Sequence, residues 1–151
     1  MSAARVATVA DAAAIAALLH AFNEEFDDPT PGPAFLERRL RALLPRDDVE
    51  AVVAEDPAVG IALLFLRPSV WHEGPAVTLD ELYVVPERRG QGLGTAMLEL
   101  AFALARERGA EWFELDTSES DVGARRFYER HGLTNTEPGD DDRALYYSKR
   151  L

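Results

Sequence analysis

Cysteine is absent from this 151-residue chain. Its absence excludes a disulfide framework, a thiolate zinc site, an iron–sulfur cluster and a cysteine nucleophile that could carry an acyl group. Lysine is nearly absent: Lys149 is the only one, and the formal net charge is -11. Duplex nucleic acid is therefore a poor partner, because such binding draws on lysines and arginines that neutralise phosphates. The same acidic field favours cationic over anionic small molecules. No apolar run approaches the roughly 18 residues that a membrane span needs, and Met1 to Ala10 lacks the basic stretch and apolar core of a secretory leader. The expectation is a soluble cytoplasmic protein with no membrane or nucleic-acid partner. His20, His72 and His131 are too dispersed for metal-ligand spacing, so no metal is expected.

What is present suffices for one domain over residues 1–151. Hydrophobic residues make up 47% of the chain, and at this length roughly 68 to 70% of the unfolded surface is removed from water on folding. Alternation over Arg5 to Val9 predicts a short strand, after which Asp11 caps a helix to about Phe26 with Ile15, Leu18, Leu19 and Phe22 on one face. Three prolines in Asp27 to Pro33 impose a loop, and Phe35, Leu36, Leu40, Leu43 and Leu44 then recur at helical spacing until Pro45. Strands follow at Val49 to Ala54, Ile61 to Leu66 and about Ala76 to Val85. A helix ends near Arg108 with Gly109 as its C-cap, Trp112 to Thr117 reads as a buried strand, and Val122 to His131 as a helix. Leu145 to Lys149 reads as a last strand, and Leu133 to Thr136 offers one more. The order is βααβββαβαβ: an α/β (α+β) chain without internal repeats or a second-domain linker.

The most informative stretch is Asp80-Glu81-Leu82-Tyr83-Val84-Val85-Pro86-Glu87-Arg88-Arg89-Gly90-Gln91-Gly92-Leu93-Gly94-Thr95. A strand runs into a turn with glycine at alternate positions, and a long amphipathic helix starts immediately after. That geometry suits an anion: glycines let the backbone approach a phosphate, N–H groups converge, and the helix dipole adds to the attraction. Arg88 and Arg89 place positive charge in the same turn. A P-loop would need Lys-Ser or Lys-Thr after the last glycine, whereas Gly94 is followed by Thr95-Ala96. A dinucleotide fingerprint would need G-x-G-x-x-G in a first strand–helix unit, and the spacing here is G-x-G-x-G in mid-chain.

Arg89-Gly90-Gln91-Gly92-Leu93-Gly94 resembles the (Gln/Arg)-x-x-Gly-x-(Gly/Ala) motif of the GNAT N-acetyltransferases, and Leu82-Tyr83-Val84-Val85-Pro86 is similar to the strand that leads into it. Ala124-Arg125-Arg126-Phe127-Tyr128-Glu129-Arg130-His131-Gly132-Leu133 resembles the later A-x-x-F-Y-E-x-x-G-F segment of the same family. The resemblance covers essentially the whole chain, with the specific motifs confined to Asp80–Thr95 and Asp121–Leu133. It implies the GNAT fold, a central, mixed but mostly antiparallel twisted sheet of six to seven strands flanked by about four helices.

By that resemblance, acetyl-coenzyme A is the acetyl donor. Its pyrophosphate rests on backbone N–H groups of Arg89, Gly90, Gln91, Gly92, Leu93, Gly94 and Thr95, and Leu82, Tyr83 and Val84 pair with its pantetheine arm and polarise the thioester carbonyl. Asp121 stands where the family usually has a coenzyme-contacting asparagine, three residues before Ala124. Tyr128 matches the tyrosine that protonates the departing thiolate, although on an isolated helix its ring beside Phe127 would pass for a packing residue. Glu81 and Asp80 are the candidate bases for the amine, through water, and alternation turns only one of them toward the acceptor. Trp71 and the Leu79-Asp80-Glu81-Leu82-Tyr83 run after it are similar to the diamine and thialysine acetyltransferase branch. That likeness implies an acceptor pocket lined by Trp71, Asp80 and Glu81, to which Glu25 at the end of the first helix adds charge. The resemblance thus implies a small cationic amine as acceptor, with a peptide or protein acceptor, or a non-catalytic acyl-coenzyme A sensor, as alternatives; homodimers also occur in the family.

Overall fold

The computed structural model describes residues 3–151; Met1 and Ser2, part of the stretch read for a leader, lie outside the described residues. The elements run β1 (Ala4–Val6), α1 (Ala12–Glu25), α2 (Pro33–Leu43), β2 (Val49–Ala54), β3 (Gly60–Arg67), β4 (Ala76–Val84), α3 (Leu93–Glu107), β5 (Trp112–Glu114) and α4 (Val122–Arg130). The chain divides into two compact units, Met1–Phe113 and Glu114–Leu151.

In the first unit the sheet has the order β1-β2-β3-β4-β5, and the pairs from β1 to β4 are antiparallel. Both faces of β2 and β3 are covered, so these strands are near-continuous apolar runs. On one face Val49, Ala51, Val53, Ile61 and Leu63 join Ile15, Ala16 and Leu18 of α1 and Leu40 of α2 in a single cluster. On the other, α3 brings Met97, Leu98, Ala101 and Ala105, all buried, against the sheet. Met97 and Leu98, taken fully out of water, contribute about 1.5–3 kcal/mol each.

Two close approaches lock this packing. A Cβ on Gly60 would sit 2.8 Å from Met97 Cε and 3.2 Å from the Tyr83 carbonyl oxygen, so β3 admits only glycine-sized bulk beneath α3. A Cβ on Gly74 would meet the backbone of Gly109, the residue that ends α3 with φ 76°; Gly74 thereby ties the β3–β4 connection to the end of that helix.

The architecture is the expected α+β one, and the strand count is smaller. Five strands replace the expected six to seven. Trp112–Thr117 shortens to Trp112–Glu114. Leu145 to Lys149 carries no strand: Leu145, Tyr146 and Tyr147 are 69%, 71% and 84% exposed. A short run of strand-favouring residues forms a strand only where packing against neighbours covers it, and here these side chains stand in solvent. Near Leu133 to Thr136 only the isolated bridge Thr136–Arg143 forms. The early helix also starts differently: Asp11 spends its carboxylate on Thr8 N (2.8 Å) and Arg5 (2.8 and 3.0 Å), closing a 3-10 turn ahead of α1. Among the described residues, no helix is long and apolar enough to cross a membrane.

Candidate active site

The site begins with an irregularity in β4. Leu63 pairs with Glu81 and Leu64 with Leu79, so Asp80 is the extra residue of a β-bulge. The bulge interrupts the alternation that the sequence assigns to the acidic pair, leaving Asp80 exposed and Glu81 half-buried. Leu82, Tyr83 and Val84 continue the strand, with Tyr83 facing the core.

Beyond Val84 the chain makes a 3-10 turn at Pro86–Arg88 and enters the glycine turn. Gly90 and Gly92 have φ of 73° and 81°, the left-handed region that other L-residues adopt only at a cost. Around neither would a Cβ meet another atom within 4 Å, so backbone conformation rather than space demands glycine there. Gly92 is the N-cap of α3 and contributes no capping side chain. Helix geometry leaves the N–H groups of Leu93, Gly94 and Thr95 without intrahelical acceptors. Together these features form a positively polarised stretch of backbone suited to a phosphate.

The two arginines of this turn are already engaged. Arg88 donates to both carboxylate oxygens of Glu55, at 2.7 and 2.5 Å, and through Nε to Gln91 Oε1 at 3.2 Å. Arg89 donates from Nε to the Val84 carbonyl at 2.9 Å and from Nη2 to Glu25 Oε1 at 2.8 Å. Tyr83 donates its hydroxyl to the same Glu25 oxygen at 3.0 Å. Phe22 stacks on the Tyr83 ring at 4.9 Å, and the Arg89 guanidinium lies 5.5 Å from that ring's centre. The hydrogen bond from Arg89 is the main cause that holds the Glu25 carboxyl below the ordinary glutamate range, with Tyr83 adding to it against partial desolvation. Burial, followed by the Glu25 carboxylate, pushes the Tyr83 phenol above its ordinary range.

Among the residues expected in the acceptor pocket, Trp71 lies in the β3–β4 connection, 86% exposed, with its backbone N–H donating to Ser69 Oγ. In the second unit, Asp121 is the N-cap of α4 and accepts from Ala124 N at 3.0 Å. Tyr128 is half-buried on the same helix, its ring 5.4 Å from that of Phe127 in an edge-to-face contact. The structure thus joins Glu25, Tyr83, Arg89 and the glycine turn within the first unit, and Asp121, Ala124 and Tyr128 within the second. Sequence reasoning missed Glu55, whose residue type in a polar turn carries no signal. Phe22 was legible only as a core-facing position of α1.

The model of the acetyltransferase (GNAT) family matches residues 15–133, from α1 past the end of α4. This chain belongs to the GNAT acetyltransferase family. The GNAT chain is 48% identical to an acetyltransferase candidate from Arthrobacter sp. FB24 whose crystal structure superposes with a TM-score of 0.93, covering 100% of this chain and 97% of that one. It is 31% identical to the aminoglycoside N(6')-acetyltransferase type 1 of Stenotrophomonas maltophilia over 152 residues, 97% of this chain and 92% of the relative. It is also 33% identical over 82 residues to the thialysine N-epsilon-acetyltransferase of Mus musculus, 52% of this chain and 48% of that enzyme. As a GNAT protein it has the GNAT fold, reached here with five strands, and it is an acetyltransferase. Members of this family generally draw the acetyl group from acetyl-coenzyme A.

Proposed function

We propose that this enzyme transfers the acetyl group of acetyl-coenzyme A to the primary amine of a small cationic molecule, by direct attack within a ternary complex. The observation that carries this reading is the glycine turn: two left-handed glycines lead into the N-terminus of α3 within the family's motif. The backbone N–H groups from Arg89 to Thr95 would hold the donor's pyrophosphate, and Leu82 to Val84 its pantetheine arm. Asp80 or Glu81 would take the proton of the ammonium group. The neutral amine would then attack the thioester carbon, the carbon–sulfur bond would break, and the Tyr128 hydroxyl would protonate the departing thiolate.

Support for a small amine acceptor comes from relatives whose names specify amine-bearing substrates, from the acidic pair at the β4 bulge and from the net charge of -11. The family match spans the junction between the two compact units, which supports one acetyltransferase domain over the whole chain. The test is thiol release from acetyl-coenzyme A against a panel of polyamines, amino acids, aminoglycosides and short peptides, with coenzyme binding measured by calorimetry on the same sample. Turnover on one small amine class is expected. Turnover on peptides alone would overturn the small-molecule acceptor, binding without turnover on any acceptor would mark a sensor, and no binding would overturn the donor assignment.

A further inference from the structure

The sequence puts two arginines beside the glycine turn, where phosphate charge would be welcome, yet the structure commits both to glutamates. Arg88 forms a two-pronged pair with Glu55, and Arg89 pairs with Glu25 while its Nε holds the last carbonyl of β4. The glutamates come from different places. Glu25 ends α1, and Glu55 lies in the turn after β2 with φ 64°, a left-handed conformation that a non-glycine residue keeps only where its surroundings hold it. The Glu55 backbone N–H donates to Ala3 O at 3.1 Å, and its carboxylate grips Arg88. The Arg89 pair is braced further by Tyr83, whose ring is buried, stacks on Phe22 and lies under the guanidinium.

We infer that Glu25 and Glu55 are positioning residues that brace the anion-binding turn from two sides through Arg89 and Arg88, and that these arginines act as struts rather than as phosphate ligands. The inference deepens the proposed reading of the turn as the coenzyme site and rests on it. Partial exposure of the four side chains, 26–43%, means the pairs add little to global stability. Their effect is geometric: they hold Gly90 and Gly92 so that the backbone N–H groups converge before the ligand arrives, and ordering paid in advance is not charged to binding. The Arg89 brace also links the turn to the end of α1, so Glu25 serves the coenzyme turn rather than a cationic acceptor.

Coenzyme A binding by calorimetry, together with amide hydrogen exchange of the ligand-free full chain, tests this. Glu25→Ala and Glu55→Ala should each weaken coenzyme A by about fivefold or more, the scale of one lost hydrogen-bonded brace, and speed exchange at residues 90–95 while leaving β2 and β3 protected. Arg89→Ala should weaken binding as much as Glu25→Ala, and the double variant no further, because the two act as one unit. Glu25→Gln, which keeps an acceptor oxygen for Arg89 and Tyr83, should fall between wild type and Glu25→Ala, and it decides the question should the alanine variant melt early. Tighter binding by Glu25→Ala would overturn the inference, since the arginines would then be phosphate ligands held back by glutamates. So would unchanged binding and exchange, or losses that multiply in the double variant. Absence of coenzyme A binding by the wild type would instead overturn the donor reading and this inference with it, whereas normal wild-type binding with unaffected variants would remove this inference alone.

Discussion

At the scale of single residues, Gly92 and Tyr128 matter for opposite reasons. Gly92 is valuable for what it lacks: with φ 81° and open space around its Cα, alanine there would strain the backbone without any clash. Gly92→Ala should cost about 1–2 kcal/mol or shift the turn, and thermal melts alongside coenzyme A calorimetry would show which; a variant unchanged in both would contradict the strain argument. In the proposed reaction Tyr128 matters for its hydroxyl. Tyr128→Phe should keep the edge-to-face contact with Phe127 and lower kcat by about 100-fold or more, the range for general acid catalysis, with coenzyme affinity unchanged. An equal loss in both would mark the ring as a packing element instead. Glycine at 90 and 92 was readable in the sequence because only glycine tolerates such a turn cheaply. The company kept by Arg88 and Arg89 was not, since Glu55 and Glu25 lie 33 and 64 positions away and nothing in a linear pattern pairs them.

At the scale of elements, α4 shows how one side chain can hold two assignments apart. Asp121 caps the helix through Ala124 N, and the family resemblance also places a coenzyme contact there. Asp121→Ala should lose about 1 kcal/mol of stability, read by melting and by faster exchange of the α4 amides. Asp121→Asn retains a capping oxygen and should melt like the wild type; if it instead melts like the alanine variant, the carboxylate charge rather than the cap is what α4 needs. Strands β2 and β3 and the helix α2 were legible because apolar runs between turn residues leave few alternatives: Val49–Ala54 appears with the expected bounds. The last strand was misread because Leu145-Tyr146-Tyr147 is a short apolar and aromatic run behind a polar turn, while residue type says nothing of whether a covering surface exists. The β4 bulge left no trace either. One inserted residue changes register without changing residue types, and it turns the Asp80–Glu81 question from a choice between two faces into a local kink.

At the scale of the molecule, the carboxylates of Asp11, Glu25, Asp48 and Glu119 are all held below their ordinary range, in each case first by a hydrogen bond from an arginine: Arg5, Arg89, Arg46 and Arg143 respectively. The folded chain therefore binds fewer protons at these groups than the unfolded chain does, and stability must rise with pH across the window. Their contribution is fully present above the unfolded carboxylate range of about pH 4 and is lost as pH falls through the depressed folded values. Melting temperature should be flat in these groups above about pH 5 and fall below it, and Arg5→Met should flatten part of that fall by releasing Asp11. A wild-type midpoint that does not decline on acidification would refute the assignment.

The contact between Gly74 and the backbone of Gly109 bears on how this enzyme can be altered. The connection from β3 to β4 has one anchored end and one free stretch. Val70 and Trp71 stand in solvent at 91% and 86% exposure, whereas Gly74 is seated too tightly to carry even a methyl group. Length and chemistry can therefore be added at Val70–Trp71 without disturbing the sheet, while any change at Gly74 is transmitted to the end of α3. The loop is built like a cantilever: its tip is open to variation, and its root is fixed to the same helix whose other end carries the glycine turn.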